Sequence, residues 1–418
     1  MKTQDKKRLI TNFASLSLLQ AANYILPLLT FPYLVQVLGI DYFGLLAFAT
    51  AIITYFNIIV NYGFNITAVH DIAKHRENKD KVTEIFSSIM TVKVLLMLFS
   101  FILMSTLVLS FQKFSTDWEV YFLTFGIVIG QGIFPVWLFQ GLEKMKYITK
   151  INILSKLIST VLIFTLVDKA SDYYMVPILI SIGFIVAGIY SLYLVKKELK
   201  IDFKLQSIHQ IKFYLFDGWH IFLSQLYVSL YTTTNTVLLG FLTNNTIVGY
   251  YSIAEKIVGA INGLFAPINQ TLYPYLVTQY DKSEQLFFKL IKKISIVYIL
   301  ISISFFSLGY FFAENLIVLI NGSFNNSILN IYLILLATTI FTPFGSFFTN
   351  ILIILKLKLK YNSIVLRIFL INILLAPVSI ITYGATGLAV VVVFLQFFVI
   401  TLCLREIKKY RIINYGRD

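Results

Sequence analysis

The chain has 418 residues, 58% of them hydrophobic and 13% charged, which excludes a soluble globule, where charge near 25% is usual. Thirty-four Lys and Arg against twenty Asp and Glu give a net charge of +14. In so apolar a chain that excess belongs to loops beside anionic headgroups, and nucleic acid is not an expected partner. The one cysteine (Cys403) and four scattered histidines (His70, His75, His209, His220) offer no internal disulfide and no metal-ligand spacing, so neither metal nor cofactor is expected.

Twelve apolar runs follow one another: 9–38, 43–67, 84–111, 118–141, 148–168, 173–195, 213–241, 247–276, 289–313, 325–355, 359–382 and 385–404. Each has the length a helix needs to cross a hydrocarbon core of about 30 Å. They are too long for barrel strands, and lipid-exposed backbone must satisfy its own hydrogen bonds, so helix is the predicted state. The first run is too long for a signal-peptide core and no small-residue cleavage site follows it, so it is read as the first span. Of the 34 basic residues, 28 fall in alternate gaps or in the first five residues of the run that follows, beginning with Lys2, Lys6, Lys7 and Arg8, while the intervening gaps hold only Lys113 and Lys169. Lys and Arg are retained on the cytoplasmic side, so the pattern predicts both termini inside.

The basic inner link 197–212 divides six spans from six, giving an N-lobe over 1–196 and a C-lobe over 213–418. Both halves open alike. Gln20 and Asn23 precede Leu38-Gly39, a short turn and Phe43-Gly44; Gln225 and Asn235 precede Leu239-Gly240, a short turn and Val248-Gly249. Six spans per half predict a parallel repeat. The expected fold is therefore an all-α polytopic membrane protein, with twelve helices in two lobes around a central cavity.

Four cations lie deep inside spans: Lys93, Lys156, Lys256 and Arg367. Each costs roughly 2.5–3.5 kcal/mol at mid-bilayer, so it is expected to face water, cargo or a partner. Lys93, Lys156 and Arg367 sit eight to ten residues from the inner end of their helices. For these three, snorkelling to the interface and a cavity role both stand. Lys256 is too deep for easy escape. On the same span Glu255, Asn262 and Asn269 recur every seven residues, as do Lys256, Gly263 and Gln270, predicting one broad polar face. Its two readings are a helix-packing surface and a cavity wall presenting a cation to anionic cargo. Glu255 is the one carboxylate deep in the membrane and the candidate for ion coupling. Span 1 adds Gln20 and Asn23, span 2 adds Asn57, Asn61 and Asn65, and span 7 adds Gln225 with several hydroxyls. Such amides hold sugar hydroxyls or join helices. No catalytic dyad, phosphate loop or metal cluster is present, so a transporter is expected rather than an enzyme.

The stretches 24–44 (YILPLLTFPYLVQVLGIDYFG), 62–74 (YGFNITAVHDIAK), 135–146 (PVWLFQGLEKMK) and 217–240 (DGWHIFLSQLYVSLYTTTNTVLLG) resemble Wzx-type O-antigen flippases. These form the polysaccharide-transport branch of the multidrug/oligosaccharidyl-lipid/polysaccharide exporter superfamily. The resemblance implies a multi-pass exporter in the bacterial inner membrane. Its cargo would be undecaprenyl-pyrophosphate-linked repeat units, moved from the cytoplasmic to the periplasmic leaflet by alternating access. It also implies cavity cations that meet the pyrophosphate, with Lys256 placed like one in relatives, and coupling to protons or sodium. Membrane lipid and the polysaccharide polymerase machinery are the further expected partners.

Two other readings compete. A drug/cation antiporter of the same superfamily would show buried carboxylates in its first lobe, and spans 1–6 have none. An O-antigen polymerase-type enzyme would need a large outer loop with Arg and His, and these outer links are short.

Overall fold

The computed structural model describes residues 3–415, and the side chains of 26–412 apart from 228, 231 and 232. Gln20 and Asn23, expected to help form the site, lie outside the described side chains. By internal contact the chain separates into unit 1, residues 1–229, and unit 2, residues 230–418. Every regular element among the described residues is helical.

Unit 1 runs α1 (Thr3–Asn61), α2 (Phe64–Lys74), α3 (Lys79–Ser110), α4 (Gln112–Ser115), α5 (Trp118–Ile133), α6 (Val136–Gly141), α7 (Met145–Leu166), a 3-10 turn (Ala170–Tyr174), α8 (Met175–Lys197) and most of α9 (Ile208–Thr232). Unit 2 continues with α10 (Thr234–Leu242), α11 (Asn245–Gly263), α12 (Ala266–Lys282), α13 (Glu284–Phe311), α14 (Ala313–Asn321), α15 (Asn326–Leu336), α16 (Thr338–Ile354) and α17 (Lys358–Tyr415).

Helix starts follow side-chain chemistry. Asn78, Asn244, Ser283 and Asn325 accept from the backbone N–H three residues on and so open α3, α11, α13 and α15. Interruptions follow backbone chemistry. At 59 residues α1 would be about 90 Å long if straight, three times the bilayer core. Gly39 breaks it at φ 77°, and Gly384 breaks the 58-residue α17 at φ 59°. Between α1 and α2 the chain turns at Tyr62 (φ 48°) and Gly63 (φ 79°). A Cβ at Gly63 would stand 2.6 Å from Ile221 of α9, so glycine is required there by both conformation and space.

Among the described residues, eight helical stretches are long and apolar enough to cross a bilayer: 26–74, 79–110, 118–141, 145–166, 170–197, 284–311, 326–354 and 358–412. The expected spans 7 and 8 are missing from that set. They are helical, but α10 and α12 are short and α11 and α12 are interspersed with polar residues. Each is also jointed, where the sequence predicts a single helix. Span 7 is interrupted at Thr233, between α9 and α10, and span 8 at 264–265, between α11 and α12.

The core of unit 1 centres on Trp137, Leu138 and Phe139 of α6, all fully buried, with Ile72 of α2 and Ile85 and Ile89 of α3. The core of unit 2 is aromatic. Tyr298 of α13 lies 5.1 Å from Phe347 and 5.9 Å from Phe344 of α16, and 5.8 Å from Phe265 at the α11–α12 joint. Offset and edge contacts of this kind are the favoured aromatic geometries.

Candidate functional site

Unit 1 gathers three of the expected site residues into one buried cluster and adds a fourth. Lys93 of α3 is 1% exposed. Its ammonium donates to Asn61 Oδ1 at 3.2 Å and reaches the main-chain oxygen of Gln131 at 3.5 Å. Asn61 Nδ2 donates to Asn57 Oδ1 at 2.9 Å, and Asn57 Nδ2 donates to Gln131 Oε1 at 2.6 Å. The amides thus run head to tail away from the cation, Asn61 and Asn57 each giving through nitrogen and receiving through oxygen and Gln131 receiving at the end. A chain of this polarity strengthens each of its bonds.

Snorkelling is therefore not what Lys93 does, since its charge is solvated by amides from α1 and α5. Among the described residues no carboxylate pairs with it, whereas Arg76 pairs with Glu143 and Lys81 with Glu84 elsewhere in unit 1. Gln131 escaped notice in the sequence, although as an amide in the apolar run of α5 it was open to the same argument as Asn57. The expected third member of the span 2 stripe, Asn65, is exposed on α2 beyond the turn at Tyr62–Gly63. Lys156 is half-buried on α7, outside this cluster, and Gln225 is half-buried on α9.

In unit 2 the even polar face expected of span 8 does not survive the joint. A seven-residue repeat keeps one face only on a continuous helix, and Pro267, lacking an N–H, cannot bond the carbonyl of Gly263. Asn262, at the end of α11, donates to Thr338 Oγ1 at 3.3 Å. Asn269, on α12, donates to Ser346 Oγ at 3.2 Å and accepts from Tyr298 at 2.9 Å. Both amides thus tie their helices to α16. Lys256 is exposed on α11 beside a half-buried Glu255, while Gln270 and Arg367 are exposed on α12 and α17. A pair the sequence did not assemble lies deeper. Asn372 of α17, fully buried, donates to Asn235 of α10 at 2.9 Å.

Among the titratable groups outside the spans that are displaced are Asp117 and Lys144. Burial, then the neighbouring Glu119 and Asp41, push the Asp117 carboxyl up from its ordinary value. Burial and then Lys146 push the Lys144 ammonium down, against an opposing pull from Glu198.

Residues 9–280 match the model of a family described as polysaccharide biosynthesis protein. A protein of Escherichia coli (strain K12) named "Putative O-antigen transporter" is 38% identical over 270 residues, 65% of this chain and 65% of the relative. One of the same name from Shigella dysenteriae is 31% identical over 265 residues, 63% of this chain and 66% of the relative. The match thus spans just under two thirds of the length of these curated relatives. Among solved structures, the inward-facing conformation of a multidrug resistance MATE family transporter of the MOP superfamily superposes with a TM-score of 0.73 at 14% identity. That superposition covers 93% of this chain and 96% of the other. The lipid II flippase MurJ, in an inward closed conformation, gives a TM-score of 0.73 at 14% identity, over 96% and 87% of the two chains. At that identity the likeness establishes the fold.

Proposed function

The chain belongs to the polysaccharide biosynthesis protein family, and on that footing we propose that it is a flippase for lipid-linked oligosaccharide. Its cargo would be undecaprenyl-pyrophosphate-linked O-antigen or related repeat units, carried from the cytoplasmic to the periplasmic leaflet of the bacterial inner membrane by alternating access. The names of the two relatives and the fold shared with a lipid flippase support this reading.

The proposed topology is twelve crossings in two six-helix lobes with both termini cytoplasmic. Eight apolar stretches, two of them divided at Gly39 and Gly384, supply ten; α9–α10 and α11–α12 supply the other two. The Asn262–Thr338 and Asn269–Ser346 bonds ascend together in number, so α11–α12 and α16 run in one direction, as spans 8 and 10 should.

The observation that carries the reading is Lys256. Lys256 is exposed on α11, a helix outside the set apolar enough to cross by composition alone, about two and a half turns into a crossing where a cation is costly. An ammonium there attracts a pyrophosphate dianion and repels a cationic drug. Buried Lys93 places an amine in unit 1 that meets an amide oxygen and, among the described residues, no carboxylate, which likewise disfavours the drug-antiporter reading. Glu255 is the proposed partner of a coupling proton or sodium ion.

The test is reconstitution with a fluorescent polyprenyl-pyrophosphate-linked oligosaccharide, measuring the fraction that an impermeant pyrophosphatase can reach. Wild type is expected to equilibrate the two leaflets, Lys256→Ala to lose transport and Lys256→Arg to retain part of it. In cells, Lys256→Ala at normal protein level should abolish surface polysaccharide. Undiminished transport by Lys256→Ala would remove this residue from the mechanism, and no transport by wild type with a range of cargoes would remove the flippase.

A further inference from the structure

Unit 2 holds a groove of about 830 Å3 between the first turns of α13 and the last turns of α17, closed at its base by Phe348 of α16. Its walls carry two pairs of cations. Lys289 and Lys292 stand three residues apart on α13, and Lys408 and Arg411 three apart on α17. That spacing sets both members of a pair on one side of their helix, so each wall presents a doubly charged edge. Among the described residues no Asp or Glu lines the groove. The acid nearest in sequence to the α13 wall, Glu284, instead accepts from Tyr410 at 3.1 Å, and that hydroxyl lies 2.9 Å from Tyr280.

Beneath the charged rim the floor is apolar. Ile291, Phe348 and Ile407 are buried, and Phe288 lies with its ring centre 6.0 Å from the Arg411 guanidinium carbon. The same two helices turn bare apolar side chains outward above it, with Leu300 65% and Leu404 44% exposed. A soluble anion would meet the four cations but leave that floor wet, and an uncharged hydrocarbon would leave the rim unmatched. A molecule with a phosphate at one end and a hydrocarbon chain at the other satisfies both, and it arrives through the bilayer along the exposed faces of α13 and α17.

We propose that this groove is a binding site for an anionic phospholipid of the bilayer, with the headgroup phosphate among Lys289, Lys292, Lys408 and Arg411 and an acyl chain along Ile291, Phe348 and Ile407. The proposal rests on the chain being a membrane protein and is independent of what the protein transports. Clusters of basic residues at a membrane surface draw acidic headgroups at about fivefold in affinity per cation, so loss of two charges should cost roughly 25-fold.

The experiment uses the full-length protein purified in detergent and titrated with phosphatidylglycerol or phosphatidylcholine, with retained lipid counted by native mass spectrometry. Wild type should retain phosphatidylglycerol in preference to phosphatidylcholine. The Lys289→Gln/Lys292→Gln variant should lose that preference roughly 25-fold, while Lys358→Gln/Lys360→Gln, an exposed pair outside the groove, should keep it. Millimolar inorganic phosphate should not displace the lipid. Equal retention of the two lipids, or an unchanged preference in Lys289→Gln/Lys292→Gln, would overturn the proposal. So would displacement by inorganic phosphate, which would indicate a simple anion site, or by equimolar polyprenyl pyrophosphate, which would assign the groove to cargo. No translocation is measured, so failure here leaves the flippase reading untouched.

Discussion

The Lys93 ammonium meets the side-chain oxygen of Asn61 at 3.2 Å, bringing a cation from the middle of α3 against the last residue of α1. The oxygen is presented because the other end of the Asn61 amide is committed to Asn57, which is committed in turn to Gln131. Three helices are joined through one buried charge.

Removing the acceptor should therefore cost more than removing the cation. Asn61→Leu leaves an ammonium buried without its closest oxygen and is expected to destabilise by about 1–3 kcal/mol or more. Lys93→Met deletes the charge along with its need for solvation and should be milder, because replacing a buried ion with an apolar group of similar volume is often near neutral. Thermal unfolding of the two variants in one detergent gives the order. A larger loss in Lys93→Met would contradict it.

Asn235 and Asn372 form an isolated buried amide pair in unit 2. Asn372→Leu should cost about 1–3 kcal/mol by stranding Asn235, and Asn235→Leu should cost a similar amount. The Asn235→Leu/Asn372→Leu double variant should be more stable than the sum of the single losses predicts, by 0.5 kcal/mol or more. Simple additivity in the double-mutant cycle would show that the bond is unimportant.

Gly63→Ala is expected to destabilise unit 1 by roughly 1–3 kcal/mol, since it combines a left-handed backbone with a Cβ 2.6 Å from Ile221. Gly259→Ala on α11, where a Cβ has nothing within 4 Å, should be neutral or slightly stabilising. Melting temperatures of the two variants check the contrast.

Asp117 gives a pH dependence. Its carboxyl is pushed up by burial and by Glu119 and Asp41, so the fold favours its protonated form. The stability it contributes is complete below the ordinary carboxylate pKa of about 3.9 and is lost as pH rises through the raised value. Asp117→Asn should therefore raise the melting temperature at pH 7 and leave it nearly unchanged at pH 3.5. An equal effect at both pH values would place the benefit elsewhere, for example in the cap of α5.

The helical class was legible because apolar runs of crossing length permit little else, and the runs ending at 111, 141 and 195 stop within two residues of helices in the structure. The joints were less legible. Pro267 was visible in the sequence, but whether a proline bends a helix or divides it depends on the neighbours that take up the freed backbone groups. The clusters were hardly legible at all. Asn57 and Gln131 are 74 residues apart, and Asn235 and Asn372 are 137 apart; no periodicity spans such distances. Whether Lys93 reaches the interface or stays inside depends on amides supplied by two other helices, which its own helix cannot reveal.

The polar residues carried by α10 and α11 bear on how the protein is made. A stretch that does not partition into lipid by its own composition stays in the bilayer only when other helices accept its polar groups. For α10 and α11 those helices are α15, α16 and α17, which follow them in the chain. The ribosome must add more than a hundred residues after Asn235 before Asn372 exists to pair with it. The Asn235–Asn372 pair can therefore close only after α17 has been made, late in the synthesis of the chain.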